Sequence, residues 1–296
     1  MGKALVDAFP AAREVFERAD AALGWSISKL CFEGPESELT LTANTQPAIV
    51  TTSIAALAAL RATVPELGEP AFAAGHSLGE YSALIAAGAL TLEDGVRLVH
   101  LRGRAMQDAV PEGQGAMAAV MGGDPEAVRA LCAEAAGDDV LSPANYNAPG
   151  QVVIAGHAAA VKRAGELAAA RRLKAIPLKV SAPFHCALMA PAARAVEQAL
   201  PEIEIGPLSF PVISNVEGQP NSDPSRVREL LVRQIDSPVL WSQSVQHMAA
   251  AGVDRALEIG PGKVLAGLVR RIDKRVRVLL AGNPTGVAEA PAFLAG

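Results

Sequence analysis

The 296-residue chain is poor in cysteine, with three, at Cys31, Cys132 and Cys186. An odd number of thiols spaced this widely builds neither a disulfide framework nor a metal cluster. Aromatic residues make up only 4%, so the apolar share is mostly aliphatic, with alanine prominent. No apolar run reaches the length of a membrane span, because Gly, Pro or a charge interrupts every Ala-rich stretch. The opening MGKALVDAFPAAREVFERAD carries acids on an amphipathic pattern, unlike a signal peptide. Together these absences point to a cytoplasmic protein. Positive charge is not in excess either: a formal net charge of −5 gives no bulk attraction for nucleic acid. The acids are scattered without the spacing of metal ligands. The Gly-Lys pair in GPGKVLAG (260–267) lacks the spacing of a phosphate-binding loop.

What remains is the composition of a globular enzyme, 50% hydrophobic and 19% charged, long enough for a sizeable core. Strand-like and helix-like patterns alternate, which predicts an α/β architecture. PAFAAGH (70–76) reads as a short buried strand, followed by a helix from Tyr81 to Leu90. Thr91 then caps a helix through TLEDGVRLVHLRGRAMQDAV. After the break PEGQG (111–115), a β-α-β-β-α-β pattern runs to about residue 181, the order of a ferredoxin-like unit. Alternation resumes to RVRVLLAG, and the Gly/Ala/Pro tail after Gly282 reads as poorly ordered. The expected organisation is a large domain with a parallel sheet, residues 1–112 and 182–296. A small ferredoxin-like domain, 113–181, interrupts it, and the groove between them is the natural ligand site.

Within AAGHSLGEYSA (73–83), Gly75-His76-Ser77-Leu78-Gly79 matches a nucleophile elbow, where tight glycine turns expose a serine between a strand and a helix. The alternative is a plain strand-to-helix turn. A nucleophilic serine needs a base. Of His76, His100, His157, His185 and His247, only His185, in SAPFHCALM, ends a strand on a loop that could face the serine; otherwise it is an ordinary loop histidine. Arg102 shares a helix face with Leu98, Val99, Ala105 and Met106, on or beside the buried stripe. A half-buried guanidinium requires a partner, either an internal carboxylate or a substrate carboxylate held bidentately. Two basic clusters, RRLK (171–174) and RRIDKRVR (270–277), read as solvated faces or as a docking patch for an acidic partner. In the second, the i, i+4 spacing puts Arg270 and Lys274 on one face of the last helix and its exit.

In TQPAI, GHSLGEYSAL, VRLVHLRGRAMQDAVPEGQGAMAAV, NYNAPGQVVIAG, FHCALM, LVRQIDSPVLW and EIGPGKVLAGL, taken in order from about Thr45 to Arg271, the chain resembles the malonyl-CoA:acyl-carrier-protein transacylases of fatty-acid synthesis. More distantly it is similar to polyketide synthase acyltransferase domains. The resemblance implies a large α/β-hydrolase-like domain in which Ser77 accepts the acyl group and His185 is its base and acid. Arg102 then clamps the malonyl carboxylate. It further implies that the backbone carbonyl of Gln234 orients the histidine, that Leu78 N–H serves the oxyanion hole, and that Phe184 leaves no room for an α-methyl group. Malonyl-CoA and acyl carrier protein are the implied partners, with no cofactor or metal, and a monomer is expected. The family's opening strand and its PGQGSQ loop, source of a second oxyanion donor, have no counterpart: MGKALVDAFP aligns just after them, and GQG at 113–115 falls in the hinge. Either the chain starts late, or it lacks a donor worth about 2.7–4 kcal/mol. The competing functions are a serine hydrolase and a non-catalytic carrier-protein binder.

Overall fold

The computed structural model describes residues 1–296. Five helices precede the serine turn: α1 (Lys3–Ala8), α2 (Pro10–Leu23), α3 (Ile27–Glu33), α4 (Glu36–Leu39) and α5 (Thr42–Thr63). Helix α5 runs through the main core, where Ala48, Ala55, Ala56 and Ala59 are fully buried. Small side chains on this face let α2 and α7 pack closely against it. Helix α6 (Leu78–Ala86) begins directly after Ser77, three residues earlier than expected, and ends before Gly88 at φ +83°. Helix α7 (Leu92–Asp108) starts as its sequence dictates, with Thr91 Oγ1 accepting the Asp94 N–H at 3.0 Å. Its buried stripe of Leu92, Val96, Val99 and Met106 includes Arg102 itself, 2% exposed.

The middle of the chain forms β1 (Gly115–Met121), α8 (Pro125–Ala136), β2 (Leu141–Ala148), β3 (Gln151–His157), α9 (Ala158–Ala170) and β4 (Lys174–Pro177). The four strands pair antiparallel in the order β2-β3-β1-β4. Val120, Val152 and Ile154 of the sheet pack with Val128 and Leu131 of α8 and Ala164 of α9 in a core separate from the main one. Asp124 caps α8, with Pro125 in its first turn.

Then follow α10 (Ala190–Ala199), β5 (Val212–Ile213), β6 (Pro220–Asn221), α11 (Val227–Asp236), α12 (Trp241–Ala250), β7 (Arg255–Glu258), α13 (Val264–Ile272), β8 (Arg277–Leu280) and α14 (Pro284–Ala295). The expected parallel sheet exists as pieces. β7 and β8 pair in parallel, β5 and β6 antiparallel. The predicted strand 70–76 reduces to one parallel bridge, Ala73 to Val212. It ladders on one side only, with Ala73 N–H donating to Pro211 O and Ile213 N–H donating to Ala73 O, both at 2.9 Å. The tail after Gly282 is not the poorly ordered segment expected but α14. Asn283 caps it at 3.0 Å, Pro284 presets its first turn, and Val287 and Ala290 are buried. Cap, alanine propensity and two anchors outweigh the Gly/Pro content. No helix is long and apolar enough to cross a membrane. No group of three or more His, Cys, Asp or Glu side chains is placed to hold a metal ion.

Candidate active site

Ser77 sits at φ 48°, ψ −103°, a conformation costly for any residue with a side chain, and such strain collects at functional sites. The turn is closed by Gly79 N–H donating to His76 O at 2.9 Å and Glu80 N–H donating to Ser77 O at 3.1 Å. Only the first glycine is demanded sterically. A Cβ on Gly75 would lie 2.0 Å from the main-chain carbon of Gly79, whereas one on Gly79 would meet nothing. Asn215, after β5, clasps the elbow from below. Its Oδ1 accepts the Ser77 N–H at 2.6 Å and its Nδ2 donates to Gly75 O at 2.7 Å.

From the loop after β4, His185 reaches the serine, and it too holds a left-handed backbone, φ 60°. The Ser77 hydroxyl donates to Nε2 at 2.7 Å, while Nδ1–H donates to the carbonyl of Gln234, in α11, at 2.8 Å. A carbonyl can only accept, so that bond fixes the tautomer and leaves the Nε2 lone pair facing the hydroxyl. Burial pushes the imidazole pKa down to about 3, and the nearby Arg102 charge adds to the shift. The ring is therefore uncharged and able to receive a proton. The other four histidines are engaged elsewhere. His76 bonds Asn147 at 2.8 Å and packs on Trp241, and His100 bonds Ala43 O at 2.9 Å. His157 lies against Asp139 and His247 against Phe72.

Arg102 reaches the same point from α7. Its Nη2 donates to Ser77 Oγ and to Gln234 Oε1, both at 2.9 Å, and Nη1 donates to Gln46 Oε1 at 2.7 Å. Its guanidinium lies 5.3 Å from the centre of the Tyr81 ring. None of these partners is a carboxylate, which removes the internal salt bridge as an explanation. Burial lowers its pKa, as expected of a cation held by neutral acceptors and an aromatic face. Glu80 reaches it only through the Gln234 amide, so the guanidinium makes no direct contact with an anion, and a carboxylate bound against it would offset the cost of burying it.

These groups open on a cavity of about 310 Å³, also lined by Leu78, Phe184 and Lys179. Leu78 opens α6, so its N–H is one of the first-turn donors with no partner inside the helix. The six residues named for the site meet here: Ser77, His185, Arg102, Leu78 and Phe184 line the cavity, and Gln234 stands behind them, whereas the two basic clusters lie outside it. Sequence reasoning missed Gln46, Asn215 and Glu80. Gln46 carried a signal, a polar amide beside Pro47 in a helix otherwise made mostly of small and apolar residues. Asn215 carried none, because its role depends on a contact 138 residues away.

The family model described as "Acyl transferase domain" matches residues 1–279. The malonyl CoA-acyl carrier protein transacylase of Escherichia coli K12 is 47% identical over 284 residues, covering 95% of this chain and 91% of that protein. The Bacillus subtilis enzyme of the same name is 46% identical over 287 residues, covering 96% and 89%. Among solved structures, the transacylase of Coxiella burnetii superposes with a TM-score of 0.97 at 37% identity, covering 100% of this chain and 93% of that one. A malonyl-transacylase in complex with a type II PKS acyl-carrier protein superposes with a TM-score of 0.93 at 42% identity, covering 100% and 95%. With the serine, the histidine and the buried arginine already gathered at one cavity, the chain belongs to the acyl transferase family and, within it, to the malonyl CoA-acyl carrier protein transacylases.

Proposed function

We propose that the chain transfers a malonyl group from malonyl-CoA to the phosphopantetheine thiol of acyl carrier protein through a malonyl ester on Ser77. One observation carries this reading: a buried cation without a carboxylate partner donates to the nucleophile's own oxygen at 2.9 Å. An acyl group attached to Ser77 and ending in a carboxylate brings that anion to Arg102.

The chemistry follows from the geometry. The Ser77 hydroxyl passes its proton to His185 Nε2 as its oxygen attacks the thioester carbonyl. The tetrahedral oxyanion forms at the start of α6, where the Leu78 N–H and the positive end of the helix oppose its charge. The C–S bond breaks and His185 returns the proton to the CoA sulfur. In the second half the carrier-protein thiol gives its proton to His185 as its sulfur attacks the ester carbonyl, and His185 returns that proton to Ser77 Oγ as the ester C–O bond breaks. The Gln234 carbonyl accepts from Nδ1–H throughout, steadying the imidazolium that each transfer creates. Arg102 favours malonyl because an acyl group without the carboxylate leaves the cation unpaired. Phe184, on the cavity wall, restricts branching next to the carbonyl. All proton transfers use the chain's own groups, and the CoA thioester enters as a substrate.

Residues 113–181 form, in this reading, a ferredoxin-like domain inserted into an α/β-hydrolase-like domain of 1–112 and 182–296. The β2-β3-β1-β4 order and the separate core support that division. Three buried free thiols suit a reducing compartment, and we assign the chain to the cytoplasm.

Intact-protein mass spectrometry after mixing with malonyl-CoA tests the reading. A persistent malonyl adduct, discharged on adding carrier protein, is the expected result. Rapid release of free malonate would make the chain a hydrolase, and the absence of any adduct would make it a binder.

A further inference from the structure

Glu80 is the only carboxylate among the buried side chains, 3% exposed, and the acyl-transfer steps do not use it. It lies in the first turn of α6, three residues after the nucleophile. One of its oxygens, Oε2, accepts two hydrogen bonds, from Gln234 Nε2 at 2.8 Å and from the main-chain N–H of Asn215 at 3.1 Å. Both donors are the residues that hold the reacting groups in place. Gln234 also donates from Nε2 to Ser77 O at 2.9 Å and accepts from Arg102 at Oε1. Its main-chain carbonyl carries His185. Asn215 binds the main chain of the elbow on both sides of His76.

The Gln234 amide therefore bridges a cation and an anion. Arginine can only donate, so Oε1 must face Arg102. An ionised carboxylate can only accept, so Nε2 must face Glu80. A flipped amide would aim NH₂ at the guanidinium. We propose that Glu80 is a positioning residue for malonyl transfer. Its carboxylate fixes the Gln234 amide and the Asn215 main chain, and through them the Arg102 guanidinium and the strained turn at Ser77. The proposal rests on the transferase reading above.

The placement is expensive for the fold. Burial raises the Glu80 pKa to about 7 against the pull of Gln234, Asn215 and Arg102. A carboxyl with a raised folded pKa favours the folded state only while protonated. That contribution is complete below the usual carboxylate range and is lost as pH rises toward 7. Ionised Glu80 thus costs stability where it would serve function. The groups facing it are Arg102 from α7, Gln234 from α11, Asn215 and Glu217 from the segment after β5, and its helix neighbour Tyr81.

The test is the single-turnover rate of Ser77 malonylation between pH 5.5 and 8.5, in the native chain and in Glu80→Gln. The native rate should rise with a midpoint near 7. His185, neutral throughout this range, supplies no such limb. Glu80→Gln should be flat across the range and roughly tenfold slower than the native enzyme at pH 8, with its melting temperature at pH 8 at or above the native value. A flat native profile would overturn the proposal without reference to any variant. So would a variant that keeps the limb, or one that loses stability at pH 8 but not the shape of the profile. No malonyl adduct in the native chain at any pH would instead overturn the transferase reading on which the proposal stands.

Discussion

Around Arg102 the charges are buried and tied, whereas along 270–277 they stand in water. In the inner wall, Arg102, Glu80, Gln46, Gln234 and His185 are all under a tenth exposed, and each is bonded to another member or to the elbow. On the outside, Arg270, Arg271, Lys274, Arg275 and Arg277 are exposed. Arg275 closes on Asp273, Arg271 bonds Gln151 and Arg277 lies over Phe293, while Arg270 and Lys274 form no ion pair. The two sets of charges divide the labour. Charges fixed in a low-dielectric site choose what is bound, because a misplaced partner costs several kcal/mol there. Charges in water are screened and act mainly on how fast a partner arrives.

The inner network is disrupted most completely at its centre. Ser77→Ala keeps the turn, since Asn215 still holds the main chain on both sides, but removes the oxygen that joins all three side chains. Transfer should fall by on the order of 10⁶-fold, and intact-mass analysis should find no malonyl adduct. An adduct in this variant would move the nucleophile elsewhere.

Arg102→Ala should act more narrowly. It removes the malonyl partner without touching the Ser77–His185 bond, so malonyl transfer should fall relative to acetyl transfer. A charge-assisted bond in a desolvated site is worth about 1.5–3 kcal/mol, or roughly 10- to 150-fold. The ratio of the two rates is the measurement to make, because truncation also strips Gln46 and Gln234 of their donor and slows both substrates. An unchanged ratio would make Arg102 structural.

How far the sequence could be read follows the same inner and outer division. The elbow was legible because Gly75 is forced by a 2.0 Å approach to Gly79, a local constraint that leaves a local pattern. Arg102 was legible because a cation on an apolar stripe breaks helix periodicity. His185 was a candidate from its loop position, with an ordinary loop histidine equally open until the family resemblance gave it the role of base. Three readings failed. Strand 70–76 shrank to one bridge because pairing depends on distant neighbours. The tail became α14 because a cap and two buried side chains outweigh composition. Arg270 and Lys274 do not share a helix face, because α13 ends at Ile272 and Asp273 is already extended. Asn215 and Glu80 stayed hidden for one reason: their partners are 135 to 154 residues away along the chain.

The smallest effect belongs to the outer charges. Arg270 and Lys274 remain the free cations of this segment even without a shared helix face, and an acidic carrier protein approaching a chain of net charge −5 needs such local attraction. Reversing both to Glu should leave malonylation of Ser77 by malonyl-CoA unchanged. Transfer onward to the carrier protein should slow by roughly 2- to 10-fold at low salt, in keeping with the modest worth of exposed pairs. Because the effect lies in association, the deficit should shrink as ionic strength approaches 1 M, where screening reaches about 3 Å. A deficit that persists at high salt would mean that the two residues make close contacts. An unchanged rate at low salt would move docking to the other basic cluster, 171–174. There Arg171 is tied to Glu134, while Arg172 and Lys174 stand exposed. The same pair of measurements on Arg172→Glu and Lys174→Glu would then decide which rim receives the carrier protein.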